Sequence, residues 1–295
     1  MRQRNVPRRK PEIYNLAKTM TTHIRRTHLI EFHEQPWCPA SLRDAVTDYL
    51  QFAIDRGNPY GVIVERLKEA VARARAARIV DLCSGGGGPW RKLRREFATD
   101  SHAIEICLTD KFPNLDAFRA ARTESGDRLS FHPTPVDASA VPEELKGFRT
   151  FFSSFHHFKP EAARLVLRAA VEQRQGIGIF EATARRLPAI LLMFATPLIV
   201  WLATPLIRPF RWSRLWWTYA LPLAPLIVLW DGVVSCLRTY TPEELGELTA
   251  GLTTGGYSWE CGEARQARSP VFVTYLIGCP ADNRVEAAQR PEERR

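Results

Sequence analysis

Apolar residues recur at helical spacing in two early stretches and then change to short continuous runs, and that change marks where a sheet begins. Leu42, Ala45, Val46, Tyr49, Leu50 and Ala53 share one helical face, with Ser41 placed to cap its start. Gly57-Asn58-Pro59 breaks this helix. A second, from Tyr60 to Ala77, carries Val62, Ile63, Leu67 and Val71 on one side. Runs of strand length follow at Ile79-Val80, Ala103 to Thr109, Phe148 to Phe158 and Gly176 to Glu181. Between the last two, Pro160 to Gln173 returns to the helical period with proline in its first turn. Buried strands alternating with amphipathic helices predict a mostly parallel sheet. Thr241-Pro242-Glu243-Glu244 then combines an N-cap, a first-position proline and a third-position acid, so another helix begins there. Tyr257 to Cys261 and Val271 to Ile277 read as two strands joined by a polar loop.

One stretch fits neither period. Leu187 to Ile207 is twenty-one residues without a charge. As one straight helix at about 1.5 Å per residue it would roughly match a ~30 Å hydrocarbon core. Arg208-Pro209-Phe210-Arg211-Trp212-Ser213-Arg214 follows, then a second apolar stretch, Leu215 to Leu237, interrupted only by Asp231. Two full spans would carry three arginines across the membrane, against the positive-inside rule. A hairpin lying in or dipping into one leaflet is therefore preferred to two spans, and an apolar lid on the protein itself is the third reading. A carboxylate inside an apolar segment has to face protein, water or a partner. Asp231 is accordingly a candidate lining residue of an acceptor pocket, and Arg238 could pair with it only if the chain bends.

Composition narrows the class. The chain has 295 residues, 45% of them hydrophobic, and a net charge of +9. That supports a proper core. The positive charge gathers in residues 1–10, 73–78 and 91–95, which suits an anionic surface. Zinc-finger spacing and aromatic RNA-binding signatures are missing, so nucleic acid is not expected as a partner. The six cysteines form no Cys-x-x-Cys pair, which argues against a metal site and fits a reducing compartment. Residues 1–35 read as a poorly ordered basic arm, and the first thirty lack an apolar core segment, so the cytosol or the cytosolic face of a membrane is the expected location.

Candidate chemistry sits where the first strand ends. Ile79-Val80-Asp81-Leu82-Cys83-Ser84-Gly85-Gly86-Gly87-Gly88-Pro89-Trp90 passes from apolar run to acid to four glycines, and a basic helical stretch follows. Glycine allows positive φ and close backbone approach to a ligand, and the following helix start offers free N–H groups. The dinucleotide fingerprint fails at one position in every frame. The spacing Asp81-x-Cys83-x-Gly85-x-Gly87 instead resembles the first motif of class I S-adenosylmethionine (SAM)-dependent methyltransferases, with Cys83 at the position that is usually the first glycine.

The resemblance implies an α/β, Rossmann-like, mostly parallel seven-stranded sheet with an antiparallel C-terminal strand, an N-terminal helical cap and an apolar helical hairpin insertion. It implies SAM as cofactor, with Asp81, Cys83, Gly85 and Gly87 in the donor loop. Asp110, at the end of the second strand, is expected to accept hydrogen bonds from ribose hydroxyls. Asp137 falls where the family places an acid near the adenine amino group. Ser153 is the first polar group at the tip of the fourth strand. His156 and His157 at that edge, Glu181 at the tip of the fifth strand, and Asp231 are the candidate bases; pairing with Arg185 or Arg186 is the structural reading of Glu181. Arg149 stands where the family commonly has an acid.

The division that follows is a basic arm (1–40), a SAM-binding core with its helical cap (41–186), a membrane-associated hairpin (187–237), the rest of the core (238–280) and a charged tail (281–295). The expected activity is methyl transfer to a lipophilic acceptor such as a lipid, quinone, isoprenoid or hydrophobic natural product. A nicotinamide-dependent oxidoreductase and a non-catalytic membrane adaptor with a degenerate methyltransferase fold stay open as alternatives. The sequence leaves the oligomeric state undetermined.

Overall fold

The computed structural model describes residues 24–97, 104–125, 128–252, 256–265 and 271–281. Most of the basic arm, the expected longer loop near 98–102, the polar loop before the last strand and nearly all of the charged tail lie outside these residues.

Seven strands form one sheet: β1 (Arg78–Asp81), β2 (Glu105–Leu108), β3 (Leu129–Phe131), β4 (Phe148–Phe152), β5 (Ile177–Glu181), β6 (Tyr257–Arg265) and β7 (Phe272–Pro280). Their order is β3-β2-β1-β4-β5-β7-β6. The first five are parallel, while β7 pairs antiparallel with both β5 and β6. This is the Rossmann-like arrangement expected from the sequence. Parallel register brings the strand ends to one edge: Asp81 stands beside Leu108 and Thr150, and Phe152 beside Phe180. Asp110, Ser153 and Glu181 follow at that same edge.

Alternating side chains fill two apolar layers. Ile79, Phe148, Phe152 and Phe180 pack with Ile63 and Leu67, with Trp90 and Leu93, and with Phe118. Val80, Phe151 and Ile179 pack on the opposite side with Val166, Leu167 and Leu245. The helices that cover the sheet are α1 (Ala40–Gly57), α2 (Val64–Arg73), α3 (Trp90–Phe97), α4 (Leu115–Ser125) and α5 (Pro160–Glu172).

Several local expectations are corrected. The α1 helix begins after Pro39 with no side-chain cap, and the Ser41 hydroxyl instead accepts from Trp217 Nε1 at 3.1 Å. Residues 59–77 split into a 3-10 turn, Pro59–Ile63, and the short α2, because proline starts the segment and fixes its first φ. The fourth strand stops at Phe152 rather than Phe158. Ser153 takes φ +45, and a 3-10 turn over Phe155–His157 follows. Neither β3, only three residues long, nor α4 was anticipated.

The apolar insertion is broken throughout. It comprises α6 (Leu187–Met193), α7 (Thr196–Ala203), α8 (Trp212–Leu215), a π-helical turn over Trp216–Ala220, and α9 (Leu223–Arg238). Among the described residues no single helix is long and apolar enough to cross a membrane; two helix pairs bent by 41° and 80° meet the length and composition together. The path over 187–207 is therefore kinked and is not one straight helix. Pro197 and Pro222 stand at the breaks, where a missing N–H and the restricted preceding residue interrupt the ladder. After α9 the chain enters α10 (Pro242–Thr249) through the capping box at Thr241 and Glu244.

The insertion docks on α1. Leu42, Val46 and Tyr49 pack against Val200 and Ala203 of α7 and Ala224 and Val228 of α9. Its arginine-rich turn folds back onto the same helix: Arg214 Nη2 lies 3.1 Å from Asp48 Oδ2, and Arg211 Nη1 lies 3.4 Å from Asp44 Oδ2. Arg214 is buried, so removing it strands the Asp48 carboxylate. Arg214→Ala is expected to lower unfolding stability by about 3 kcal/mol and to speed proteolytic cleavage within 208–217. Urea denaturation with limited proteolysis reads both.

Candidate functional site

The glycine loop is a built structure. Cys83, Gly85, Gly87 and Gly88 have φ of +57, +54, +111 and +58. Left-handed backbone at the glycines carries no Cβ penalty, whereas Cys83 adopts it at a cost. Asp81 anchors the turn from below: Thr150 Oγ1 donates to one carboxylate oxygen at 2.6 Å and Ser84 Oγ to the other at 2.7 Å. Burial raises the Asp81 carboxyl to about 6, although these hydroxyls favour its charged form. From above, Gln51 Nε2 of α1 donates to the Gly88 carbonyl at 2.9 Å. Gly86 lines a cavity of about 500 Å³ shared with Gln51, Arg91 and Arg208, so open volume lies between this loop, α1 and the insertion.

Asp110 faces the loop from the end of β2. Its carboxylate accepts from the Gly85 N–H and the Phe112 N–H, both at 2.8 Å. Two oxygens with two partners leave lone pairs for further donors. Asp137 lies in an exposed turn, accepting from the Ser139 N–H and hydroxyl and standing 3.3 Å from Lys111 Nζ. Ser153 is turned inward: its hydroxyl pairs with Tyr60 OH at 2.6 Å and accepts from the Ala182 N–H at 3.0 Å, so it ties β4 to β5.

The candidate bases separate by environment. His156 is buried, with Nδ1 2.6 Å from Glu181 Oε2. The other Glu181 oxygen accepts from the Phe155 and His156 N–H groups. Burial lowers the His156 pKa, but Glu181 and then Glu31 more than reverse this, and the imidazolium is favoured. Glu181 pairs with neither expected arginine: Arg185 reaches Glu244 at 2.7 Å and Arg186 reaches Glu263 at 2.6 Å. His157 is partly open and holds Glu34 Oε1 at 2.7 Å through Nδ1. Asp231 is buried and bound to the segment ahead of α1. Its carboxylate accepts from the Phe32 and His33 N–H groups at 2.7 and 3.1 Å and pairs with His33 Nδ1 at 2.7 Å.

Residues 24–38, read from the sequence as part of a loose arm, are a strap across this edge. Arg26 donates to the carbonyls of Arg238 and Phe158, and its guanidinium lies 3.9 Å over the Tyr240 ring. Glu31 is fully buried, accepting from Ser235 Oγ at 3.0 Å and standing 3.2 Å from Arg238 Nη1. Burial works against its charge, yet His157, His156 and His33 hold its carboxyl far below the usual range. Glu34 is likewise lowered to about 2, against burial, by His157 and Arg238. The chain does not bend between Asp231 and Arg238, which lie in one helix, and Arg238 reaches Glu31 and Glu34. Glu31 and Glu34 were missed. The available signal was an acid inside the apolar run Leu29-Ile30-Glu31-Phe32, with a second acid, Glu34, two residues beyond it.

Arg149 is buried within β4 and donates to the Gln173 side chain, with its Nε and Nη1 lacking hydrogen-bond partners.

No protein-family model matches this chain, and no curated protein matches it significantly. Similar solved structures include the pyocyanin biosynthetic protein PhzM, at 15% identity and a TM-score of 0.47, over 79% of this chain and 57% of that one. A putative O-methyltransferase from Nostoc punctiforme has 13% identity and a TM-score of 0.49, over 86% and 64%. The O-methyltransferase NcsB1 from neocarzinostatin biosynthesis, in complex with SAM and a naphthoic acid, has 15% identity and a TM-score of 0.46, over 80% and 58%. The chain thus spans less than two thirds of the length of each. The likeness is one of chain path, and the sheet order stands on its own coordinates.

A raised carboxyl is most stabilising when protonated, so the Asp81 contribution is full below the unfolded value near 3.8 and is lost as pH rises through about 6. Between about pH 4 and pH 7, Asp81→Asn is expected to gain about 2–3 kcal/mol relative to the parent chain. Paired urea titrations at the two pH values measure it.

Proposed function

We propose that this chain transfers the methyl group of SAM to a lipophilic acceptor at a membrane surface. The observation that carries the donor half is the loop Asp81-x-Cys83-x-Gly85-x-Gly87 in left-handed backbone, facing the Asp110 carboxylate across the Gly85 N–H. The surroundings suit a sulfonium. Burial raises the Cys83 thiol pKa, and the carboxylates of Asp110, Asp81, Glu34 and Asp137 raise it further, so the space around this residue is electrically negative. A fixed cation is stabilised there. Asp110 keeps acceptor capacity for two ribose hydroxyls, and glycine at 85 and 87 leaves room for the nucleoside to lie against the backbone.

SAM supplies an activated methyl group when bound, and the protein's part is to align and to take up a proton. Of the four candidate bases, His157 is the one left partly open, and Glu34, which is close enough to Cys83 to affect its thiol, is its partner. The short contact has His157 Nδ1 donate to the Glu34 carboxylate, so Nε2 is the nitrogen left for the acceptor. The methyl group would come from the bound donor, and His157 Nε2 would take up the proton that the acceptor gives up. His156 and Glu181 orient the turn that presents His157.

The acceptor half rests on the insertion. Leu191, Phe194, Leu198, Trp212 and Trp216 of the insertion are exposed, Trp212 to 78%, and large apolar side chains exposed in number suit a membrane or partner surface. Tryptophan beside arginine suits the headgroup boundary. The pinning of Arg211 and Arg214 to α1 keeps the turn on the same side as the core, which supports a hairpin dipping into one leaflet over two spans. The cavity at Gly86 borders Leu206 to Arg211, which supports passage of an acceptor from the insertion to the loop.

Asp110→Ala is expected to weaken SAM binding about tenfold or more, through loss of charge-assisted bonds; equal calorimetric affinity in both proteins would overturn the donor assignment. Replacing Phe194, Trp212 and Trp216 together by serine should move the protein out of the floating fraction with anionic phosphatidylcholine–phosphatidylglycerol vesicles. Continued flotation of that folded variant would remove the membrane half while leaving the donor half intact.

A further inference from the structure

The strap and the turn after β4 meet at three side chains that the methyl-transfer reading does not need together. Glu31 Oε1 lies 3.6 Å from Nε2 of His156, and Glu31 Oε2 lies 3.6 Å from Nδ1 of His157. Ligand atoms of all three residues fall within 4.8 Å of one another. An ion bound tetrahedrally at about 2.0–2.1 Å separates its ligand atoms by roughly 3.3–3.5 Å, so little closure is required. Two of the facing atoms, His156 Nε2 and Glu31 Oε2, are buried without a hydrogen-bond partner.

The surroundings have the order of a metal centre. The far nitrogen of His156 donates to Glu181 at 2.6 Å, the carboxylate behind an imidazole that fixes the tautomer and directs the other nitrogen to a cation. That nitrogen, Nε2, faces the Glu31 carboxylate at 3.6 Å without a hydrogen-bond partner, a gap that a cation between them would fill on displacing any ring proton. Glu31 and Glu34 meet the guanidinium of Arg238, Glu181 pairs with His156, and Asp231 pairs with His33, so carboxylates are gathered on every side of the two ring nitrogens.

We propose that Glu31, His156 and His157 form a binding site for one divalent transition-metal ion of the zinc class. Two imidazoles and one carboxylate suit zinc and cobalt rather than magnesium or calcium. In the bound state Nδ1 of His157 turns from Glu34 to the ion and Nε2 carries the ring proton, so the metal-bound form and the proton-accepting form of His157 are alternative states; Arg238, now 3.0 Å from Glu34 Oε2, keeps Glu34 as its partner. The fourth position is left to water on the side of His157, the partly open ligand.

The test uses the full chain without an affinity tag, stripped with a chelator and titrated with Co2+, followed by Zn2+ competition and elemental analysis. The expected result is one ion per chain with the visible absorption of a low-coordinate nitrogen–oxygen site, displaced by Zn2+. Glu31→Gln and His157→Gln should each abolish that absorption, and Glu181→Gln should weaken affinity about 10–100-fold through the orientation of His156. Circular dichroism establishes which variants fold, and His157→Gln carries the test if the buried Glu31 cannot be replaced. An aquo-ion spectrum in the parent protein would overturn the proposal. So would equal affinity in the parent and a folded ligand variant, which would mean adventitious binding elsewhere. No methyl donor enters the experiment, so its failure and that of the methyltransferase reading are separate results.

Discussion

A carboxylate taken out of water must find its compensation inside the protein, and Glu31 is where this chain concentrates that demand. One of its oxygens is reached by Arg238 and Ser235 from α9, and the carboxylate faces His156 and His157 from the turn after β4. Breaking such a set by removing one member leaves uncompensated charge, which costs more than the set contributes as a whole. Strap, sheet edge and insertion are therefore bound to one another by charge pairing, while each keeps its own apolar packing.

The glycine loop obeys a different constraint. Its left-handed residues need support from both sides, because each gives up conformational freedom without a side chain to pack. Asp81 and Thr150 provide it from the sheet, and Gln51 provides it from α1. The sheet supplies position and the cap supplies rigidity. This division explains why the helices ahead of β1 are part of the site and more than a cover for it.

What could be read from the sequence was local. The loop at 81–88, the strand ends at Asp110 and Glu181, and the capping box at Thr241 each lie within a few residues, and their physics is complete at that range. Failures came where a partner was distant. Glu31 and His156 are 125 positions apart, and no period in the chain connects them. Asp231 was recognisable as a carboxylate in an apolar run that required a protein partner. The partner was the strap, whose own acids carried the same signal unread. The insertion illustrates the opposite limit: its composition was legible, but prolines decided its path, and hydropathy averages over them.

One unbroken helix joins the two halves of the molecule. Along its length α1 touches the glycine loop through Gln51, packs on the insertion through Leu42, Val46 and Tyr49, and holds the insertion's turn through Asp48. A stiff rod gripped at several points transmits displacement rather than absorbing it. Tilting the greasy segment therefore tilts the floor on which the loop rests, so the two cannot be adjusted independently, by evolution or by an engineer.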